Sequence, residues 1–451
     1  MLKAKKEKQF RLTSFQIIVT YYFLTVSFAT IALSMPFALQ DGVKMSFIDA
    51  FFLAASAVSV TGLTTVNLSE TFSTTGIVII IFVLQIGGIG IMTISTFFWM
   101  LFGKKVTLKQ RQLIMTDQNQ TRLSGVVKML TQILYLILMI ELIGAIILGT
   151  YFLKYYPTWQ EAFLQGIFTS VSATTNAGFD ITGASLVPFA NDYFVQFIIM
   201  ILIILGAIGF PVLIETKNFL FHNHAKQRFR FSLFTKLTTF TYFSLFIFGA
   251  IMILTLESKH FFADKTWHET LFYSIFQSTT LRSAGLATTD MNEFSMPSLL
   301  FMALLMFIGA SPSSVGGGIR TTTFALNILF VIQFARGKRH IKIFNKEIYN
   351  EDIYRSVVVF MLAVFMCTIS VFLLTITEDQ PLIAIIYEVT SAFGTTGSSM
   401  GITADLSLMG KLLLIILMFI GRVGILSFLF SIGGREKQAH YRFPKERVII
   451  G

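Results

Sequence analysis

The sequence predicts an all-α polytopic membrane protein made of four tandem repeats set around one axis. Three observations carry that prediction. First, the 451 residues are 54% hydrophobic and only 13% charged, with a mean hydropathy of +0.72. A soluble domain carries about 25% charged residues to cover its surface. Second, eight apolar stretches approach or exceed the roughly 20 residues needed to cross a bilayer. They are residues 13–36, 73–101, 128–153, 191–221, 234–257, 297–334, 355–377 and 405–432. Third, a short polar loop centred on glycine occurs four times: Ser59-Val60-Thr61-Gly62-Leu63, Thr175-Asn176-Ala177-Gly178-Phe179, Arg282-Ser283-Ala284-Gly285-Leu286 and Gly394-Thr395-Thr396-Gly397-Ser398. The glycines lie 116, 107 and 112 residues apart.

The elements follow in order. Residues 13–36 read as a retained first helix, because no small-residue cleavage site follows the basic start and its apolar run. Between the long stretches of each pair lies a shorter apolar segment: 46–59, 158–174, 267–281 and 381–393. Segments of this length are more often re-entrant than spanning. Ser46 suits a helix start, Thr266 with Glu269 forms a capping box, and Pro381 suits a first turn. Aligning on the loop glycines exposes further register. Six residues before each stands Ser56, Ser172, Thr279 or Ser391, and 24 to 28 residues after comes a second landmark. It reads Ile86-Gly87-Gly88-Ile89-Gly90, Leu205-Gly206-Ala207-Ile208-Gly209, Ile308-Gly309-Ala310-Ser311-Pro312 and Ile420-Gly421-Arg422-Val423-Gly424. The organisation is an N-terminal tail (1–12), repeat 1 (13–102), a loop (103–127), repeat 2 (128–222), a loop (223–233), repeat 3 (234–335), a loop (336–354), repeat 4 (355–432) and a C-terminal tail (433–451).

Charge placement sets the orientation. Of 35 Lys and Arg, 27 fall in the tails and in residues 103–128, 217–236 and 336–355. The alternate loops hold five, with 15 acidic residues. This alternation places both termini in the cytoplasm. It also explains the net charge of +11 without nucleic acid as a partner. One cysteine, Cys367, excludes an internal disulfide. No histidine lies in an apolar core and no metal-ligand spacing stands out, so no cofactor is expected on this chain.

Non-helical backbone at membrane depth must be buried in protein or line water. Four such loops around one axis would present carbonyls to a dehydrated cation. Glycine permits the necessary backbone angles, and the half-helix C-termini would add negative dipole ends. The expected filter residues are Val60, Thr61, Gly62, Leu63, Asn176, Ala177, Gly178, Phe179, Ser283, Ala284, Gly285, Leu286, Thr395, Thr396, Gly397 and Ser398, holding a dehydrated cation.

With these residues the chain resembles the Trk/Ktr/HKT superfamily of potassium transporters, and most of all its bacterial Ktr membrane subunits. The resemblance spans residues 13–432. It implies eight spanning helices and four half-helices around a central pore, and a multi-pass homodimer in the cell membrane. It also implies a separate cytosolic nucleotide-binding ring, which would carry the nucleotide. In this family a serine in the first loop goes with sodium, so Gly62 favours potassium. The segment Lys338-Arg339-His340 is a candidate docking surface.

The third landmark departs from its siblings, which are expected to continue as apolar helix. Three glycines and a cluster of hydroxyls suit an unwound segment better than a simple kink. The resemblance makes this an intramembrane gate over residues 310–323, including Ala310, Ser311, Pro312, Ser313, Ser314, Gly316, Gly317 and Gly318. Arg422 would face the cavity as electrostatic barrier and latch. Arg282 is expected behind the filter, paired with an acid such as Glu388, or snorkelling to solvent. Glu141 reads as a structural partner or as a neutral acid facing lipid. A Na+-coupled secondary transporter with broken helices is the alternative, but such folds usually show two inverted repeats. An embedded enzyme would need clustered His, Asp or Glu, and no GxxxxGK[ST] loop offers direct ATP use.

Overall fold

The computed structural model describes residues 14–90, 93–94, 96–97, 100, 106–117, 125–221, 229–338, 340–425 and 446. The N-terminal tail, the C-terminal tail apart from residue 446, residues 103–105, 118–124 and 223–228 of the loops, and Arg339 of the candidate docking segment lie outside the described residues. The fold is mainly helical. Unit one holds α1 (Ser14–Ser34), α2 (Phe47–Ser59), the short α3 (Leu68–Thr71) and α4 (Thr74–Ile89). After a connecting helix, α5 (Leu108–Asp117), unit two holds α6 (Val126–Phe152), α7 (Trp159–Thr174), α8 (Tyr193–Ala207) and α9 (Phe210–Leu220). Unit three holds α10 (Leu233–Glu257), α11 (Trp267–Thr280), α12 (Met296–Ile308) and α13 (Thr321–Ala335). A hairpin of β1 (Lys342–Ile343) and β2 (Lys346–Glu347) leads to unit four. That unit holds α14 (Asn350–Thr377), α15 (Leu382–Gly394) and α16 (Leu408–Val423).

Helices α1, α6, α10 and α14 contain stretches long and apolar enough to cross a membrane, and the bent pair α8–α9 passes the same test. The four half-helices α2, α7, α11 and α15 begin where the sequence places them. Ser46 Oγ accepts from Asp49 N at 3.2 Å, and Thr158 Oγ1 from Glu161 N at 3.3 Å. The Thr266–Glu269 capping box is formed. Pro381 stands just ahead of α15 rather than within its first turn.

Lipid offers no hydrophobic drive between helices, so close approach depends on small residues. Gly144 of α6 packs on Ser170 of α7, and Gly249 of α10 on Ser278 of α11. Those serines donate to Glu141 O at 2.8 Å and Phe246 O at 2.7 Å. Glu141 itself is buried and accepts from Gln85 Nε2 of α4, so it is a partner between units.

The units close on one another. Helix α4 packs on α7, α8 on α11, α12 on α15, and α16 returns to α2. The largest apolar core spans that last junction, where the Tyr22 and Phe419 ring centroids lie 4.7 Å apart. Lys411 Nζ pairs there with Asp49 Oδ1 at 3.0 Å.

One expectation is overturned. Among the described residues, the second helix stops at its landmark in every unit, not only in the third. Gly90, Gly209 and Gly424 hold φ/ψ of 96°/133°, 104°/131° and 91°/140°. Only glycine enters this region without strain, so each landmark ends on a break, and α8 and α9 meet at 104°.

Candidate functional site

Each half-helix runs into its glycine loop through a residue of positive φ. These are Val60 (56°), Asn176 (52°), Ser283 (151°) and Thr395 (47°). Two residues later the glycines repeat the sign: Gly62 (98°), Gly178 (70°), Gly285 (67°) and Gly397 (90°). The residues between stay at negative φ. Alternating sign turns successive carbonyls to one side of the backbone. A side chain at positive φ costs about 1–3 kcal/mol, so packing must hold the loops in place.

The half-helices supply part of that hold. Ser56 Oγ accepts from Gly62 N at 3.1 Å, and Ser391 Oγ from Gly397 N at 3.0 Å. Ser172 Oγ donates to Phe179 O at 2.6 Å. In unit three the brace is Thr280, whose Oγ1 donates to Leu286 O at 2.7 Å. Thr279 is one residue off, because this loop is wound tighter. Ala284 N bonds Thr280 O four residues back, where the sibling bonds reach back five. The residues after the glycines, Leu63, Phe179, Leu286 and Ser398, are all buried.

The four loops form a closed ring. A Cβ on Gly62 would collide with the carbonyl oxygen of Ala177, and one on Gly178 with that of Ala284. On Gly285 it would strike Thr396 O, and on Gly397 it would strike Thr61 O. The four glycine loops therefore meet in chain order, each glycine against the carbonyl that precedes the next.

The second landmarks pack beneath. Gly87, Gly206 and Gly421 lie against carbonyls at the ends of their own half-helices: Val58 O, Thr174 O and Phe393 O. Gly309 lies instead against Gly317 O. Here an extra loop, residues 309–320, enters the fold, and α13 resumes at Thr321, so the loop is shorter than residues 310–323. It is stitched to the break of unit two: Ser311 N to Ala207 O at 3.1 Å, Phe210 N to Ser313 O at 2.8 Å and Val315 N to Gly206 O at 3.3 Å. Its glycines touch the ring. A Cβ on Gly316 would strike Ser283, and one on Gly317 would strike Thr395. A cavity of about 440 Å³ adjoins the loop, walled among others by Leu237, Pro312, Ile319, Arg320, Val359 and Val423.

Arg422, Arg320 and Arg282 converge on this loop. Arg422 donates to Val315 O, and also to Gly87 O and Gly88 O. Arg320 donates to Gly316 O, with Ser311 O at 3.5 Å. Arg282, fully buried, gives Nη2 to Gly309 O at 3.1 Å and Nη1 to Tyr242 O at 3.0 Å. Its guanidinium lies 4.4 Å from the Tyr242 ring centroid. Arg282 bonds carbonyls and stacks on a ring, where an acid such as Glu388 was expected. Glu388 is held by Ser399 and by Thr403 at 2.9 Å. Backbone carbonyls can accept the hydrogen bonds of a guanidinium fork, and they leave no trace in a sequence. Arg320 was missed as a site residue, although its lone charge in an apolar stretch was the available signal.

Comparison with known proteins places the chain. Residues 1–434 match the TrkH family, described as a cation transport protein. The chain belongs to this family. It is 58% identical to Ktr system potassium uptake protein D of Bacillus subtilis over 97% of both chains. It is 35% identical to Ktr system potassium uptake protein B of the same organism, over 100% of this chain and 99% of the relative. The fold matches the crystal structure of the potassium transporter TrkH from Vibrio parahaemolyticus. The TM-score is 0.74 at 18% identity, covering 95% of this chain and 87% of that one. A TrkH-family chain with these apolar helices is a multi-pass membrane protein.

Proposed function

We propose that this chain is the membrane subunit of a potassium uptake system, conducting K+ through a pseudo-fourfold filter formed by the four glycine loops. The observation that carries this reading is the closed ring, in which each glycine packs on the carbonyl before the next. Rings of backbone carbonyls replace the hydration shell of a cation. The ion follows from the relatives, which are potassium uptake proteins. The eight spans, the cytoplasmic termini and a membrane homodimer belong to the same reading.

The loop at residues 309–320 is the gate, held beneath the filter by Arg422 and Arg320, with the adjoining cavity as room to move. The Arg422 cation also opposes a passing K+. A cytosolic nucleotide-binding partner would control the loop from the face bearing the basic segments. The chain itself binds no nucleotide in this scheme.

The test is uptake in cells lacking their own potassium transporters, for the parent with its partner and for Gly62→Ser. The parent restores growth at low potassium. The serine Cβ strikes Ala177 O at φ 98°, so the ring must widen, and sodium permeation rises. A well-expressed parent that fails to restore growth overturns the reading. Unchanged selectivity in Gly62→Ser places Gly62 outside the filter.

A further inference from the structure

We propose that Arg282 is a positioning residue that couples the filter to the gate, so that displacing the gate loop alters ion selection as well as flux. This rests on the filter and gate reading above. Three observations carry it. In units one, two and four, the landmark glycine packs directly on the end of its own half-helix, so second helix and filter loop form one rigid piece. In unit three that contact is lost, because Gly309 faces Gly317 O. Arg282, three residues before the filter glycine, spans the gap by donating Nε and Nη2 to Gly309 O at 3.4 and 3.1 Å.

The sibling positions do no such bridging. Ser59 and Thr175 donate to carbonyls of their own half-helices, Ala55 O at 2.6 Å and Val171 O at 2.7 Å, and the fourth position is Gly394. A cation buried at membrane depth is costly unless fully paired. Two backbone carbonyls and the Tyr242 ring compensate it here, and the Tyr242 carbonyl anchors the fork to α10. Below, the same loop presses Gly316 on Ser283 and Gly317 on Thr395, the positive-φ residues of filter loops three and four. The loop is therefore clasped to the filter at Gly309 and wedged under it at Gly316 and Gly317. A shift of the loop moves the support of half the ring.

The experiment measures potassium flux and potassium-over-sodium preference in proteoliposomes, on monodisperse full-length Arg282→Lys, Tyr242→Leu and Arg422→Ala. Lysine keeps the charge but loses the planar fork, and leucine removes the ring platform while leaving Arg282 in place. Arg282→Lys is expected to lower potassium preference about tenfold, the worth of one charge-assisted hydrogen bond, and Tyr242→Leu by roughly three- to tenfold, the worth of a buried cation–π contact. Arg422→Ala is expected to raise flux several-fold, because it frees the gate. If Arg422→Ala raises flux while folded Arg282→Lys and Tyr242→Leu keep parental preference and lose only thermal stability, the coupling is overturned and the gate reading stands. If Arg422→Ala leaves flux unchanged, the gate reading fails and the coupling falls with it. Should Arg282→Lys not fold, Tyr242→Leu decides.

Discussion

Arg320 has a backbone that does not suit it. At φ 73° and ψ 145° it leads into α13 with nearly the angles that Gly90, Gly209 and Gly424 adopt at the other breaks. An arginine there stores about 1–3 kcal/mol of strain, and its side chain clamps Gly316 O. Strain retained at a moving part is worth more than a relaxed joint, because it lowers the cost of leaving the closed form. Arg320→Gly separates the two effects. Relief of strain should leave thermal stability within about 1 kcal/mol of the parent or above it, while loss of the clamp raises flux. Melting and uptake on the same preparation check both. Slower uptake with a raised melting temperature would show that Arg320 does not restrain the loop.

The helices are joined in each unit by a latch between the end of the first and the start of the second. Glu257 accepts from Ser295 N at 2.9 Å, and Glu378 from Ser407 N at 2.9 Å. Unit one uses backbone, with Ser73 N on Ala38 O at 3.0 Å. Unit two uses Asp192, which caps α8 and accepts from Tyr151 at 2.9 Å and from Tyr155. Partial burial opposes the Asp192 charge, but the Tyr155 hydroxyl, the N–H groups of Val195 and Phe194 and the Tyr151 hydroxyl outweigh it. The carboxyl is held below its ordinary range. The same contact pushes Tyr155 up to about 12. A depressed carboxyl stabilises the fold fully above its unfolded pKa, near 3.9, and that contribution vanishes as pH falls through the folded value. Asp192→Asn should therefore melt below the parent at neutral pH, with the gap closing under about pH 4. A gap that persists in acid would trace the loss to packing. Ser407→Ala should cost about 1–2 kcal/mol, because Ser407 both caps α16 through Gly410 N at 3.2 Å and donates to Glu378 at 2.6 Å. Denaturation in detergent reads that loss.

Across the whole molecule, the ring of units depends on glycines whose neighbours are backbone. Gly206→Ala puts a methyl into Thr174 O and Gly421→Ala one into Phe393 O, and backbone cannot step aside as a side chain does. Both variants should lose several degrees of melting temperature, whereas alanine at Gly401, which has open space around it but φ 90°, should cost only its strain. Much of this plan was legible in the sequence. The half-helices announced themselves through Ser46 and the Thr266–Glu269 box, and the loops through Gly62, Gly178, Gly285 and Gly397. The breaks at Gly90, Gly209 and Gly424 stayed hidden, because glycines serve close packing in apolar helices as well as breaks, and which of two neighbouring glycines takes a positive φ is not written in the sequence. The offset from Thr279 to Thr280 was hidden for a related reason: a helix end tightened by one residue changes no composition. The partners of Arg282, Arg320 and Arg422 are carbonyls, which every residue carries.

The closure between the fourth unit and the first has a consequence for how the protein is made. Thr61 O waits for Gly397, Asp49 for Lys411, and Gly87 O for Arg422, across up to 362 residues of chain. At ordinary synthesis speeds that interval is on the order of tens of seconds. Throughout it, the first half-helix sits in the bilayer with one flank exposed and a polar loop half enclosed. Three units cannot shelter it. The nascent chain is therefore most vulnerable to membrane quality control just before its last hairpin inserts, and a stop codon anywhere in the fourth unit removes the whole assembly and not a quarter of it.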